Sequence, residues 1–134
     1  MRKIDLVSDF QKISLTQIRE AYFRERDESG NLVFEVEFWS GYFGNILFLY
    51  PDYMALPKKS VIYKYCWSHD YGNEVWGDYW NGEVEVDRLE EFYGHLKSII
   101  LTEDANAQKE YDAILEICES ALKNKNRLFF IADY

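Results

Sequence analysis

The sequence has few of the residues that mark specialised protein classes. Its 134 residues include two cysteines, two prolines and seven scattered glycines. Two cysteines are too few for the disulfide framework of a small secreted domain, so an apolar core must stabilise the fold. The glycines predict no phosphate-binding loop, because none is followed by Lys-Ser or Lys-Thr.

Long apolar runs are also missing. No stretch approaches the roughly 20 residues that cross a bilayer, and Asp5 and Asp9 interrupt the N-terminal segment where a signal peptide would have its apolar centre. We therefore expect a cytoplasmic protein that does not contact membranes and whose cysteines are reduced. No linker or repeat divides the chain, which predicts a single domain over residues 1–134.

Basic residues are outnumbered, and the imbalance is local. The formal net charge is −9, and residues 1–59 hold 8 basic and 9 acidic residues whereas residues 60–134 hold 7 and 15. Nucleic acids and anionic membranes bind cationic surfaces, so we expect neither as a partner. An acidic surface favours a basic protein partner, although net charge also serves solubility alone.

Aromatic and alternating segments predict most of the strands. Residues 32–39 alternate strictly, with Leu32, Phe34, Val36 and Phe38 on one face. Shorter strands are predicted over residues 2–8, 45–50, 61–67 and 127–132, with a turn at residues 40–44.

Residues 15–26 fit two structures. Ser14 and Gln17 have capping-box spacing, and Leu15, Ile18 and Tyr22 have helical spacing, which predicts a helix. The competing interpretation is a strand over residues 18–26 that pairs with the next strand across a turn at residues 27–31. Periodicity does not decide between them.

Two amphipathic helices are predicted near the C-terminus. The first begins at Asp87, with an apolar stripe at Leu89, Phe92/Tyr93, Leu96 and Ile99/Ile100. Thr102 caps the second, whose stripe is Tyr111, Ile114/Leu115, Cys118 and Ala121/Leu122. The predicted fold class is α+β: an antiparallel meander of five to six strands with about three helices, the C-terminal two packed on one face.

Asn81-Gly82 predicts a tight hairpin that fixes which side chains share a face. One face is apolar and contains Val75, Gly77, Tyr79, Val84 and Val86. The other contains Trp76, Asp78, Trp80, Glu83, Glu85 and Asp87. This second face is either an interaction surface or the cover of a second small core.

Residues with catalytic or metal-binding chemistry form no convincing site. Cys66 and His69 lack a recognisable nucleophile motif, and together with His95 and Cys118 they do not match a zinc-finger spacing. Facing carboxylates at Asp78 and Glu85 would need a deep cleft to act as a glycosidase pair. We therefore predict no enzyme activity, catalytic residue, metal or cofactor.

In size, acidity and α+β composition the chain is similar to the immunity proteins of bacterial toxin systems. That resemblance implies a small bacterial inhibitor that neutralises a basic toxin, such as a nuclease, and it transfers no residue role. The predicted partner-binding residues are the Trp and acidic side chains of the hairpin region: Asp70, Glu74, Trp76, Asp78, Trp80, Glu83, Glu85 and Asp87.

Two alternatives stay open. A DNA-mimic inhibitor of a restriction or CRISPR effector would also be acidic. A small-ligand-binding or enzymatic α+β domain would use aromatic side chains such as Trp39, Tyr63, Tyr65 and Trp67 to stack a sugar or base. The oligomeric state is left undetermined.

Overall fold

The computed structural model describes residues 1–7, 20–47, 49–50, 83–86 and 88–132. Within these residues the strands are β1 (Arg2–Asp5), β2 (Glu20–Arg26), β3 (Leu32–Trp39), β4 (Val84–Glu85) and β5 (Arg127–Ala132). The helices are α1 (Ser40–Leu47), α2 (Leu89–Ser98) and α3 (Gln108–Asn124), and a 3₁₀ turn covers Glu103–Ala105.

The described strands form one mixed sheet in the order β1-β3-β2-β5-β4. The α+β class is confirmed, but the predicted all-antiparallel meander is wrong. The strand β1 runs parallel to β3, and the last strand, β5, lies between β2 and β4. Sequence neighbours are therefore not all sheet neighbours, and β2 becomes the central strand.

The segment that fitted two structures is a strand over residues 20–26. It pairs antiparallel with β3, from Glu20 opposite Trp39 to Arg26 opposite Leu32. The predicted helix is therefore wrong over these residues, and the competing hairpin is confirmed; residues 15–19 lie outside the described chain. Helical spacing misled here because a glutamate, Glu25, interrupts the apolar side of the strand.

The turn between β2 and β3 is held by Asp27. Its Oδ1 atom accepts hydrogen bonds from the backbone N–H groups of Ser29 at 3.0 Å and Asn31 at 2.9 Å. Gly30 has a φ of 85°, which side-chain-bearing residues rarely adopt. The short turn fixes the register of the two long strands and so decides which residues share a face.

The helix α1 replaces two predicted elements. Residues 40–44 were expected to be a turn and residues 45–50 a strand, yet Ser40–Leu47 is helical and residues 49–50 follow it as a turn and a bend. Tyr42, Phe43, Ile46 and Leu47 are all buried, which is the spacing of one helix face. Their burial outweighs the cost, about 1 kcal/mol each, of two glycines in a helix.

Aromatic rings from the sheet and the helices meet at Phe23. Its ring centroid lies 5.8 Å from Phe38, 5.4 Å from Phe43, 6.2 Å from Phe92 and 5.1 Å from Phe130. These rings belong to β3, α1, α2 and β5, so one side chain of the central strand joins the elements of the core. The helices α1 and α2 therefore pack on the same face of the sheet, and α3 joins them there through the contact of Ser120 with Glu25.

The buried residues of the two C-terminal helices match the predicted apolar stripes, with two corrections. Phe92, Leu96 and Ile99 are buried, but Ile100 is 83% exposed, because the helix ends at Ser98 and the chain turns away. The second helix does not begin after Thr102, whose side chain caps nothing. Asn106, with a φ of 51°, separates the 3₁₀ turn from α3.

A fully buried carboxylate joins α3 to the central strand. Glu25 is 0% exposed. Its Oε1 accepts a hydrogen bond from Ser120 Oγ at 2.6 Å, and its Oε2 accepts one from Asn126 Nδ2 at 2.6 Å. Neutral donors thus replace the water that the carboxylate loses on burial.

We expect Glu25→Ala to lower the free energy of unfolding by about 3 kcal/mol, because it removes charged hydrogen bonds and leaves Ser120 and Asn126 unsatisfied. Urea unfolding followed by circular dichroism measures this loss. Glu28→Ala in the exposed turn is the control, expected to change stability by less than about 0.5 kcal/mol. Equal effects of the two substitutions would contradict a structural role for Glu25.

Candidate functional site

The sheet face opposite the helices is densely charged, and we call it the charged face. Strand alternation and register place on it side chains from all five strands: Lys3, Glu20, Tyr22, Arg24, Arg26, Glu35, Glu37, Trp39, Glu83, Glu85, Arg127 and Phe129. This face contains the two described members of the predicted partner-binding set, Glu83 and Glu85.

Two arginines of β2 hold Glu83. Arg26 donates from Nε to Glu83 Oε2 at 2.9 Å and from Nη2 to Glu83 Oε1 at 2.6 Å, which is a bidentate interaction with one carboxylate. Arg24 adds a bond from Nη1 to Glu83 Oε1 at 3.0 Å and a second from Nε to Glu35 Oε2 at 2.7 Å. The guanidinium of Arg24 therefore links Glu35 in the sheet to Glu83 at the start of β4.

The ion-pair network continues across β3 to β1. Lys3 Nζ lies 3.5 Å from Glu35 Oε1 and 3.3 Å from Glu37 Oε1. Glu35 and Glu37 are only 7% and 8% exposed. Carboxylates this buried need cationic partners, since an unpaired charge removed from water is costly. Lys3 and Arg24 supply that compensation.

The pKa values of Glu83 and Tyr22 shift in opposite directions because of their neighbours on the charged face. Hydrogen bonding to Arg26, and then to Arg24, lowers the pKa of Glu83 from its ordinary value of 4.5, against an opposing effect of burial. Tyr22 shifts the other way: burial and the carboxylates of Glu20 and Glu37 raise its pKa far above 10. Glu83 is thus an anion and Tyr22 a neutral hydroxyl at neutral pH.

Glu85 belongs to the more exposed end of the charged face. It pairs with Arg127 on the neighbouring strand β5, and the Arg127 guanidinium lies 5.2 Å from the centre of the Phe129 ring. Within the described chain, the charge of Glu85 is therefore compensated by Arg127.

The sequence predicted that the strand after Asn81-Gly82 places apolar residues on one face and acidic residues on the other. The structure shows this arrangement over residues 83–86. Val86 is buried and Val84 packs against the core, while Glu83 and Glu85 lie on the charged face. The backbone N–H of Val86 donates to Leu128 at 2.8 Å, which ties this strand to β5. Six predicted site residues lie outside the described chain: Asp70, Glu74, Trp76, Asp78, Trp80 and Asp87.

The described residues offer little for metal or nucleophilic chemistry. No group of His, Cys, Asp and Glu side chains in the described part of the chain could hold a metal ion. Cys118 is fully buried in the core, and burial raises its pKa well above its ordinary value, so the thiolate needed for attack or for zinc is disfavoured. Ion pairing is the dominant chemistry of the charged face.

Sequence reasoning missed the cationic half of this face. Arg24 and Arg26 were assigned to a helix, so their alternation with Phe23 and Glu25 was not used. The sequence signal was the alternation of Tyr22, Arg24 and Arg26 with Ala21 and Phe23, and the structure shows the matching alternation of half-buried and buried residues along β2. Their carboxylate partner Glu83 is 57 to 59 residues away in sequence, which no local pattern reveals.

Within the described residues, none of the helices combines the length and the apolar character needed to span a bilayer. Comparison of the chain with protein-family models, with curated protein sequences and with solved structures finds no match.

The salt bridges of Glu83 predict a pH-dependent stability. Its lowered pKa means that the stabilisation is complete above pH 4.5 and is lost as the pH falls through the folded-state value. We expect Glu83→Gln to be less stable than the parent by about 1 kcal/mol at pH 7, with the difference shrinking toward pH 3. Urea unfolding between about pH 3 and 7 measures it.

Glu90→Gln is the matched control, because Glu90 is exposed on α2 and forms no ion pair within the described chain. This variant should keep the parent's pH dependence. A Glu83→Gln curve parallel to that of the parent would show that the arginine pairs contribute nothing measurable.

Proposed function

We propose that this protein is a small acidic inhibitor that binds and neutralises a basic protein, as an immunity protein against a bacterial toxin. The observation that carries the proposal is the internal pairing of its arginines. Every described arginine forms an ion pair with a carboxylate of the same chain: Arg2 with Glu116, Arg24 with Glu35 and Glu83, Arg26 with Glu83, Arg88 with Glu91, and Arg127 with Glu85.

Each internal ion pair cancels one carboxylate against one cation, so the pairing does not reduce the chain's excess of negative charge. The net charge is −9, and Glu90, Glu103 and Asp104 are exposed carboxylates that form no ion pair within the described chain. Such a surface attracts a cationic protein over about 10 Å at moderate ionic strength. It repels nucleic acid, so it suits an inhibitor better than a nucleic-acid-binding domain.

The proposed mechanism is occlusion of a basic surface. Toxins that act on nucleic acid need cationic active sites, which an acidic face complements and blocks. Trp76 and Trp80 would anchor the contact, because large aromatic side chains dominate interface energies. Asp70, Glu74, Asp78 and Asp87 would accelerate association by electrostatic steering.

Glu83 and Glu85 have a different place in this proposal from the other acidic residues. Both are engaged by arginines of the chain itself, so a cation of the partner would have to compete with Arg26 or Arg127. Glu85 is the more accessible, since its side chain is 46% exposed against 18% for Glu83. We therefore assign Glu83 to holding β4 and Glu85 to the rim of the contact.

The test uses a basic protein encoded by an adjacent reading frame. We expect an equimolar amount of this chain to abolish its activity, with an association rate that falls about tenfold or more as salt rises. Trp76→Ala should weaken binding about thirtyfold, the size of an interface hot spot. Surface plasmon resonance separates the association and dissociation rates.

Charge reversals at two positions form the control. Asp78→Lys should slow association much more than Glu28→Lys, which makes the same charge change in the exposed β2–β3 turn. If the two reversals act equally, only net charge matters and the assigned face is wrong. If the adjacent protein keeps full activity beside an equimolar amount of the chain, the inhibitor function itself is wrong.

A further inference from the structure

The strand β4 is joined to the sheet by a short backbone ladder. Among the described residues, this ladder consists of two pairs with β5, made by Val84 and Glu85. One further bond, from the backbone N–H of Val86 to the carbonyl of Leu128, continues the pairing. Backbone pairing this short gives little protection against local opening, so side-chain contacts decide how firmly β4 is held.

The strongest of these side-chain contacts come from β2, which is not a sheet neighbour of β4. Because β5 lies between the two strands, Arg24 and Arg26 reach across it to Glu83. Arg26 engages both carboxylate oxygens of Glu83, and Arg24 is itself anchored by Glu35. The two arginines therefore fix the start of β4 relative to the central strand of the sheet.

Glu85 lies on the same face of β4 as Glu83 but is held much less firmly. Its partner Arg127 has a side chain that is 63% exposed. An ion pair this exposed contributes little stability and exchanges readily with other charges. A lysine or arginine of a basic partner can therefore replace Arg127 on Glu85 at small cost, whereas Glu83 stays bound to two guanidinium groups.

We propose that Arg24 and Arg26 are positioning residues for partner binding: through Glu83 they fix β4, so that Glu85 meets a lysine or arginine of the basic partner. The two arginines are not contact residues themselves, because their guanidinium groups are engaged by carboxylates of the chain. A carboxylate on a fixed strand loses less conformational freedom on binding than one on a loose strand. This inference rests on the proposed function, which supplies the basic partner.

A positioning role and a role in charge balance predict opposite effects when an arginine is removed. The substitution makes the net charge one unit more negative than −9. On charge alone, association with a basic protein would become faster. If the arginines position Glu85, the same substitution weakens binding through faster dissociation, because the partner's cation then meets a carboxylate that is no longer held in place.

Arg26 is the better position for the test. Removing Arg24 would also take a cation from the buried carboxylate of Glu35 and would threaten the fold, whereas Arg26→Gln leaves that pair intact. The matched control is Arg2→Gln. It removes the same charge from an arginine that is also paired within the chain, with Glu116, and β1 lies at the opposite end of the strand order from β4.

The first measurement needs no partner and follows amide hydrogen exchange by NMR at pH 7. We expect the N–H of Val86 to exchange about tenfold faster in Arg26→Gln than in the parent, while the amides of the β2–β3 ladder keep their protection. Arg2→Gln should leave Val86 unchanged. Unchanged exchange of Val86 in Arg26→Gln, or an equal acceleration of all strand amides, would overturn a local hold on β4.

The second measurement is surface plasmon resonance with the basic protein of the adjacent reading frame. Arg26→Gln should raise the dissociation rate about threefold, and Arg2→Gln should not weaken binding. Glu85→Gln should weaken binding about fivefold. In the Glu85→Gln background, Arg26→Gln should add little, because no carboxylate is left at that position for the arginines to hold.

Two binding results would overturn the inference: an Arg26→Gln affinity at least equal to that of Arg2→Gln, or an undiminished effect of Arg26→Gln in the Glu85→Gln background. Either result, with the parent chain still inhibiting the adjacent protein, rejects this inference and leaves the proposed function standing. If the parent chain does not bind that protein, the proposed function is wrong. The exchange of Val86 then still decides whether the arginines hold β4.

Discussion

The structure depends on the placement of β2 between β3 and β5. Both neighbours pair with it antiparallel along nearly its whole length, so its side chains must alternate strictly between two very different environments. Phe23 and Glu25 enter the core, and Arg24 and Arg26 enter the charged face. A slip of one residue would exchange the two sets and bury both guanidinium groups among aromatic rings.

Two kinds of buried carboxylate result, and the fold stabilises them differently. Glu25, on the core side, is solvated by neutral hydroxyl and amide donors. Glu35, on the other side, is compensated by the cations of Arg24 and Lys3. Neither arrangement changes the net charge of −9, which follows from the 24 acidic and 15 basic residues of the chain.

Sequence patterns succeeded where one environment extends over a whole segment. Residues 32–39 alternate without interruption, and residues 127–132 are rich in β-forming side chains, so both strands were predicted with the bounds that the structure shows. Prediction failed where long-range packing overrode the local pattern. The segment of α1 contains two glycines that indicate a turn, but contacts of Phe43 with Phe23 and Phe92 favour a helix.

The candidate site likewise has one part that was predictable from the sequence and another that was not. A single turn signal, Asn81-Gly82, was enough to place Val84 and Val86 on the core side and Glu83 and Glu85 on the other, because strand alternation is a local property. Which cations meet those carboxylates was not predictable, since Arg26 and Arg127 come from distant strands.

By itself the sequence determined the α+β class, the acidity and the alternation of side chains in the most regular strands. All three depend on composition and on residues close together in the chain. The tertiary structure alone decided the order of the strands, the arginine partners of Glu83 and the pairing of Glu85 with Arg127. These features require residues far apart in the chain to meet, and the free energy that selects such contacts comes from burying the whole core at once.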